Sequence, residues 1–158
     1  MVIIKQMLEK KERKMVESIL SELSDVYSDF YITRNNLRLY IKENLDLLYE
    51  SLEKGDRIAY DSEGGIGLII GYSDKSPRKY LKLIAKDERL ADRIIKCVLW
   101  NIPEELFVKI KKNSPYKQVF EKNGFRFAGD RGQELLLCRK GLPQNNNINL
   151  KDEDKENE

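Results

Sequence analysis

Residues 113–140 read NSPYKQVFEKNGFRFAGDRGQELLLCRK. Pro115 stands where a helix tolerates proline, in its first turn. The dipeptide Asn123-Gly124 then stops that helix, because glycine readily adopts the left-handed conformation that closes a helix C-terminus. Beyond it, apolar and polar residues alternate in two runs joined at Arg131-Gly132, which predicts a pair of strands.

The chain before this segment divides by the same signals. Val2-Ile3-Ile4 is a short apolar strand. Val16, Ile19, Leu20 and Leu23 recur at i, i+3, i+4 and i+7, one face of a helix over 10–23. Thr33 is a candidate cap for a second helix over 34–52, where Leu37, Ile41, Leu45, Leu48 and Leu52 keep helical spacing and Gly55 ends it. Residues 57–60 and 66–72 flank Glu63-Gly64-Gly65 and read as a hairpin. A polar loop with Pro77 leads to a strand over 79–85. Asp87 can cap a helix over 88–101, Pro103 breaks the chain, and 106–110 alternates as a half-buried strand. The predicted order is β-α-α-β-β-β-α-β-α-β-β: an α/β chain with a mixed sheet, one domain over 1–140.

The spacing Asn113, Phe120, Gly124-Phe125 resembles the C-terminal signature of the GNAT superfamily, the acetyl-CoA-dependent N-acyltransferases, whose pattern runs Asn, seven residues, Tyr, three residues, Gly-Phe. The element order over 1–140 also resembles that fold, a sheet splayed in its middle with helices on both faces. Here Phe120 occupies the tyrosine position.

The resemblance implies transfer of an acetyl group from acetyl-CoA to a primary amine, on a small molecule or a protein. It implies that the cofactor lies along Leu83, Ile84 and Ala85, whose strand backbone would polarise the thioester carbonyl. The pyrophosphate would meet the following helix start, where unpaired N–H groups and the helix dipole favour anions. That segment is Arg89-Leu90-Ala91-Asp92-Arg93-Ile94. Arg89 fits the first family position, while Asp92 and Ile94 stand where small residues are usual. Asn113 and Phe120 complete the implied cofactor set. The family tyrosine would protonate the leaving thiolate, which Phe120 cannot do. Tyr116, four residues earlier on the same helix face, is the candidate substitute, and otherwise reads as a packing residue. Asp61, Glu63 and Asp74 are candidate bases, and equally ordinary turn residues. A GNAT-fold binding or regulatory module without catalysis is the alternative reading.

Composition bounds these readings. The 158 residues contain no histidine, which excludes Ser-His-Asp and Cys-His catalysis and removes the commonest metal ligand. Cys97 and Cys138 are too few for a disulfide scaffold or a zinc site, so no metal is expected, and buried thiols in a cytoplasmic protein fit them best. No apolar run reaches membrane-spanning length, and the start MVIIKQMLEKKERK lacks the order of a secretory signal. The net charge is +2. Residues 141–158 hold five acids and two lysines, so residues 1–140 carry +5. That tail offers little to bury and is expected to be disordered. Lys109, Lys111, Lys112, Lys117, Lys122 and Arg126 cluster near Phe107 and Tyr116, but the excess is modest and no nucleic-acid motif accompanies it, so nucleic acid is not an expected partner. Trp100, at the end of an apolar helix, reads as a core or interface anchor, and a second copy of the chain is a candidate partner.

Overall fold

The computed structural model describes residues 1–23, 29–72 and 75–141. In chain order they form β1 (Val2–Lys5), α1 (Lys10–Glu22), β2 (Tyr31–Arg34), β3 (Leu37–Tyr40), a 3-10 turn (Ile41–Glu43), α2 (Leu45–Glu53), β4 (Arg57–Asp61), β5 (Gly65–Ile70), β6 (Lys79–Ala85), α3 (Glu88–Asn101), β7 (Leu106–Lys111), α4 (Lys117–Lys122), β8 (Arg126–Arg131) and β9 (Glu134–Arg139). Asp74 and the tail 142–158 lie outside the described residues, as do the expectations attached to them.

Seven strands make one mixed sheet in the order β1-β4-β5-β6-β7-β9-β8. Strand alternation gives it two apolar faces. Leu81, Leu83, Val108, Ile110 and Leu137 face α3 and α4 in one core. Ile58, Tyr60, Ile66, Leu68 and Ile84 face α1 and α2 in the other. On the first face α3 packs unusually close to β5. A Cβ added at Gly67 would lie 2.9 Å from Ile94 Cγ2 and 3.2 Å from Leu81 Cδ1, so the glycine sets the depth at which the helix sits.

All pairings in the sheet are antiparallel except β6 with β7. These two strands, connected through α3, run parallel and register only at Lys79–Leu106 and Tyr80–Phe107. Beyond those two pairs they part, leaving a cleft toward their C-terminal ends. This divergence is the one the GNAT resemblance implies.

One expectation fails. The helix expected over 34–52 is split: its first part is the β2–β3 hairpin, and helix begins only at Leu45. Asn35 and Asn36 adopt φ of 52° and 64°, the left-handed pair that a two-residue hairpin turn needs. Tyr31, Ile32 and Thr33 are strand-forming residues ahead of it. Thr33 therefore caps no helix, and Leu37 points outward, 62% exposed. Leu48 and Leu52 keep their helical spacing and are buried in α2.

The turn makes a direct test. Asn36→Val, β-branched in a left-handed position, should cost about 1–2 kcal/mol, whereas Asn36→Gly should leave stability within about 1 kcal/mol. Equilibrium urea unfolding of both variants measures the difference.

Candidate active site

The cleft between β6 and β7 is lined by backbone groups that have lost their strand partner. Lys86 N–H donates to Gly64 on the β5 side, so the backbone of alternate residues Leu83 and Ala85 faces β7. Two side chains meet these edges. Tyr116, at the start of α4, reaches Ala85 with its hydroxyl. The hydroxyl donates to the Ala85 carbonyl at 3.0 Å and accepts from the Ala85 N–H at 3.0 Å. Across the cleft, Asp29 accepts the N–H of Lys111 at 3.0 Å.

Local sequence explains how Tyr116 arrives there. Ser114 Oγ accepts from Tyr116 N–H at 3.1 Å and shapes the turn into α4. Gly124, at φ 94°, closes the helix. Phe125 N–H donates to the Phe120 carbonyl and Gly124 N–H to that of Glu121, the two bonds of a Schellman motif. The accompanying apolar pair is Phe120 with Phe125, rings 5.0 Å apart and edge to face. Phe120 is fully buried. The Phe…Gly-Phe spacing thus works as a helix terminator that fixes α4, and Tyr116 one turn earlier carries the hydroxyl.

A charged group sits on the α1/α2 side of the cleft. Lys82, Lys109 and Lys111 project there from β6 and β7, opposite Leu83, Val108 and Ile110. Asp29 and Tyr31 enter with the hairpin. The Tyr31 hydroxyl donates to Glu134 Oε2 on β9, and Arg38 bonds Glu134 Oε1 at 3.1 Å. Lys82 lies over the Tyr31 ring, 4.2 Å from its centre.

Burial sets the protonation of these groups. Asp29 is 1% exposed, and desolvation pushes its carboxyl up to about 7, against the pull of the Lys111 N–H and Lys82. Its Oδ2 is buried without a hydrogen-bond partner. Burial lowers Lys82 to about 8, with Lys109 adding repulsion. Burial and Glu134 raise Tyr31 far above the usual phenol. Burial also raises Tyr116, which therefore holds its proton at neutral pH.

The residues singled out in the sequence distribute as follows. Leu83 and Ala85 border the cleft, with Ile84 between them directed into the opposite core. Leu90, Ala91 and Ile94 are buried against the sheet. Asp87 caps α3, its carboxylate accepting the Leu90 N–H at 2.9 Å. Arg89 bonds Glu63, while Arg93 bonds both Glu63 and the buried Asp61, the latter at 2.7 Å. Asp92 faces α4 instead, accepting from Asn123 at 2.8 Å and Lys96 at 2.6 Å. Asn113 is exposed in the turn after β7. Asp61 and Glu63 thus hold arginines at the start of α3. Asp29, Tyr31, Lys82 and Glu134, which the sequence reading did not single out, gather at the cleft. A lysine at a core position of a strand was the one available signal.

No family profile matches the sequence, and no curated protein matches it either. Solved structures do. The chain is similar to the Paia N-acetyltransferase of Thermoplasma acidophilum, determined in complex with coenzyme A, with 14% identity and a TM-score of 0.56 over 89% of this chain and 99% of that one. It is similar to a GNAT-family acetyltransferase from Streptococcus pneumoniae at 14% identity and a TM-score of 0.55, over 88% and 98% of the two chains. An N-acetyltransferase from Staphylococcus aureus Mu50 gives 10% identity and 0.54, over 89% and 98%.

The packing of Phe120 generates an expectation of its own. Phe120→Tyr would place a hydroxyl in a sealed apolar core, so it should cost about 1–3 kcal/mol, read by urea unfolding. A variant as stable as the wild type would mean that the hydroxyl finds a partner or reaches the cleft. The strand order, the parallel pair that parts after two registers and the structural similarities together identify the fold as that of the GNAT N-acetyltransferases.

Proposed function

We propose that the protein is an acetyl-CoA-dependent N-acyltransferase whose chemistry takes place in the β6–β7 cleft. The observation that carries this reading is the Tyr116 hydroxyl, buried and bonded to the Ala85 backbone where the strands part.

The donor fits the two ends of the cleft unequally. At the inner end, the cleft-facing N–H and C=O of β6 suit a ligand rich in amides and a thioester carbonyl. At the α3 end, Asp87 and Glu88 present acidic side chains where a pyrophosphate would lie, and Asp87 already takes the Leu90 N–H. Arg89 and Arg93 can hold phosphates there by exchanging Glu63 for them, with Lys86 beside them. Acetyl-CoA supplies the acetyl thioester that an unprotonated amine attacks.

The remaining roles belong to the chain. The Ala85 N–H, held by the Tyr116 hydroxyl in the ligand-free chain, would pass to the carbonyl oxygen as charge develops on it, freeing that hydroxyl. Asp29 is the base: its Oδ2 is buried without a partner while Oδ1 holds the Lys111 N–H at the cleft edge, and its carboxyl titrates near neutrality, the range that suits a general base. Tyr116 is the acid, its proton retained by burial and available to the departing sulfur. Glu134 and Arg38 hold the Tyr31 side chain that walls the site. The acids at the start of α3 and the buried Phe120 favour a second reading, a binding module without turnover.

A thiol-release assay with a panel of primary amines, beside calorimetry of acetyl-CoA binding, separates the two. Binding without thiol release for any amine would leave the module; no binding would retire both. If transfer occurs, Tyr116→Phe should lower kcat by roughly 10²-fold, the lower end for a positioned acid, since a thiolate leaves readily. Acetyl-CoA affinity should change little.

The pH profile tests Asp29. The base must be ionised, so kcat/KM should rise through about pH 7, and Asp29→Asn should abolish that limb. Stability runs the opposite way. The folded state holds the Asp29 proton more tightly than the unfolded chain, so the stability it confers is complete at acid pH and fades as pH rises through about 7. Asp29→Asn should gain stability over the wild type across that rise, measured by urea unfolding at pH 5 and pH 8.

A further inference from the structure

Beside the cleft, on the α1/α2 face, a groove of about 420 Å³ runs between the β2–β3 hairpin, α2 and the beginnings of β6 and β7. Five cations line it: Arg34, Lys54, Arg78, Lys82 and Lys109. Asp56 is its one acidic lining residue, and both carboxylate oxygens are engaged, by the Ser51 hydroxyl and by the Tyr72 N–H. Glu50 takes Arg34 at 2.5 Å and Lys54 at 4.0 Å.

Arg78, Lys82 and Lys109 differ from that pair. Among the described residues no carboxylate lies within ion-pair distance of any of them. Each is placed over an aromatic ring instead: Arg78 at 4.6 Å from the centre of Phe107, Lys82 at 4.2 Å from Tyr31 and Lys109 at 5.3 Å from Tyr80. Rings hold a cation in position without neutralising it. Arg78 also meets the Tyr80 side chain, and at longer range Glu105 acts on Arg78 and Asp29 and Glu134 on Lys82, none of them within ion-pair distance. Lys82 is 4% exposed, and a cation removed from water favours an anion beside it.

We infer that this groove binds the anionic end of the acceptor, a carboxylate or phosphate monoester, and that the acceptor is an amine carrying such a group. The inference rests on the transferase reading for the position of the amine. From Lys82 to Ala85 is three residues along β6, and from Lys109 to the Asp29-bound Lys111 is two along β7. At roughly 3.3 Å per residue, anion and amine are separated by about 7–10 Å. A short molecule such as glycine cannot span that. A flexible chain of six or so bonds can.

Matched probes test this on the full-length protein. 6-Aminohexanoate, 6-aminohexyl phosphate and hexylamine share a chain and an amine and differ in the far group. Calorimetry without acetyl-CoA should show the anionic probes binding about tenfold or more tightly than hexylamine. The stronger of the two identifies carboxylate or phosphate as the recognised group. The advantage should shrink with rising salt and fall about tenfold in Arg78→Gln and in Lys109→Gln, with melting temperatures confirming that both variants fold. Equal affinity for anionic and neutral probes, or variants that bind like the wild type, overturns the inference. Thiol release with acetyl-CoA is then read separately. Preference for the anion without turnover keeps the groove and removes the transferase; turnover of hexylamine and 6-aminohexanoate alike does the reverse.

Discussion

Two parallel strands that begin paired and then part impose the constraint on which this molecule depends. After Lys79–Leu106 and Tyr80–Phe107, β6 and β7 have no further partner in each other. Their inward N–H and C=O groups lie in the middle of a seven-stranded sheet, where an unpaired group costs about 1–3 kcal/mol. A ligand can meet these edges, and so can side chains. Here side chains do: Tyr116 takes both backbone groups of Ala85, and Asp29 takes the N–H of Lys111. The same polar atoms that close the free protein are those to which the proposed transfer assigns its roles.

Everything needed to aim Tyr116 follows from packing on the other face. Gly67 lets α3 settle onto β5, and α3 in turn supports α4 through Asp92 and Asn123. The Schellman closure at Gly124 and the Phe120–Phe125 contact then set the end of α4. In a helix of only six residues, fixing one end fixes the other. A phenylalanine at 120 is therefore consistent with a working hydroxyl in the cleft, since the hydroxyl comes from one turn earlier.

Most of the sheet and both long helices were legible in the sequence, because their signals are local. The alternation at 106–110, the capping Asp87 and the Asn123-Gly124 stop each state their structure within a few residues. The hairpin at Tyr31–Tyr40 was hidden by apolar spacing. Leu37, Ile41 and Leu45 recur every four residues and mimic a helix, and only the paired left-handed Asn35-Asn36 speaks against it. The cleft residues were hidden for a different reason. Asp29, Lys82 and Glu134 are far apart in sequence, and only Lys82, set between Leu81 and Leu83 in a strand, carries a local signal. The topology alone brings them together: Lys111 pairs with Glu134 across β7 and β9, and the hairpin carries Tyr31 to Glu134 over a separation of 103 residues.

The hairpin consequently decides more than its size suggests. It follows Asp29, contributes Tyr31 and Arg38 to the wall of the cleft, and roofs the cationic groove through Ile32, Thr33 and Arg34. The helices α1 and α2 cover β4 and β5 on that face, so without the hairpin Lys82 would meet water and lose the burial that holds it near 8. Asp29, next to the hairpin, would likewise return toward an ordinary carboxylate. The sheet supplies an opening in its middle; the hairpin supplies the low dielectric that makes the charges in that opening matter.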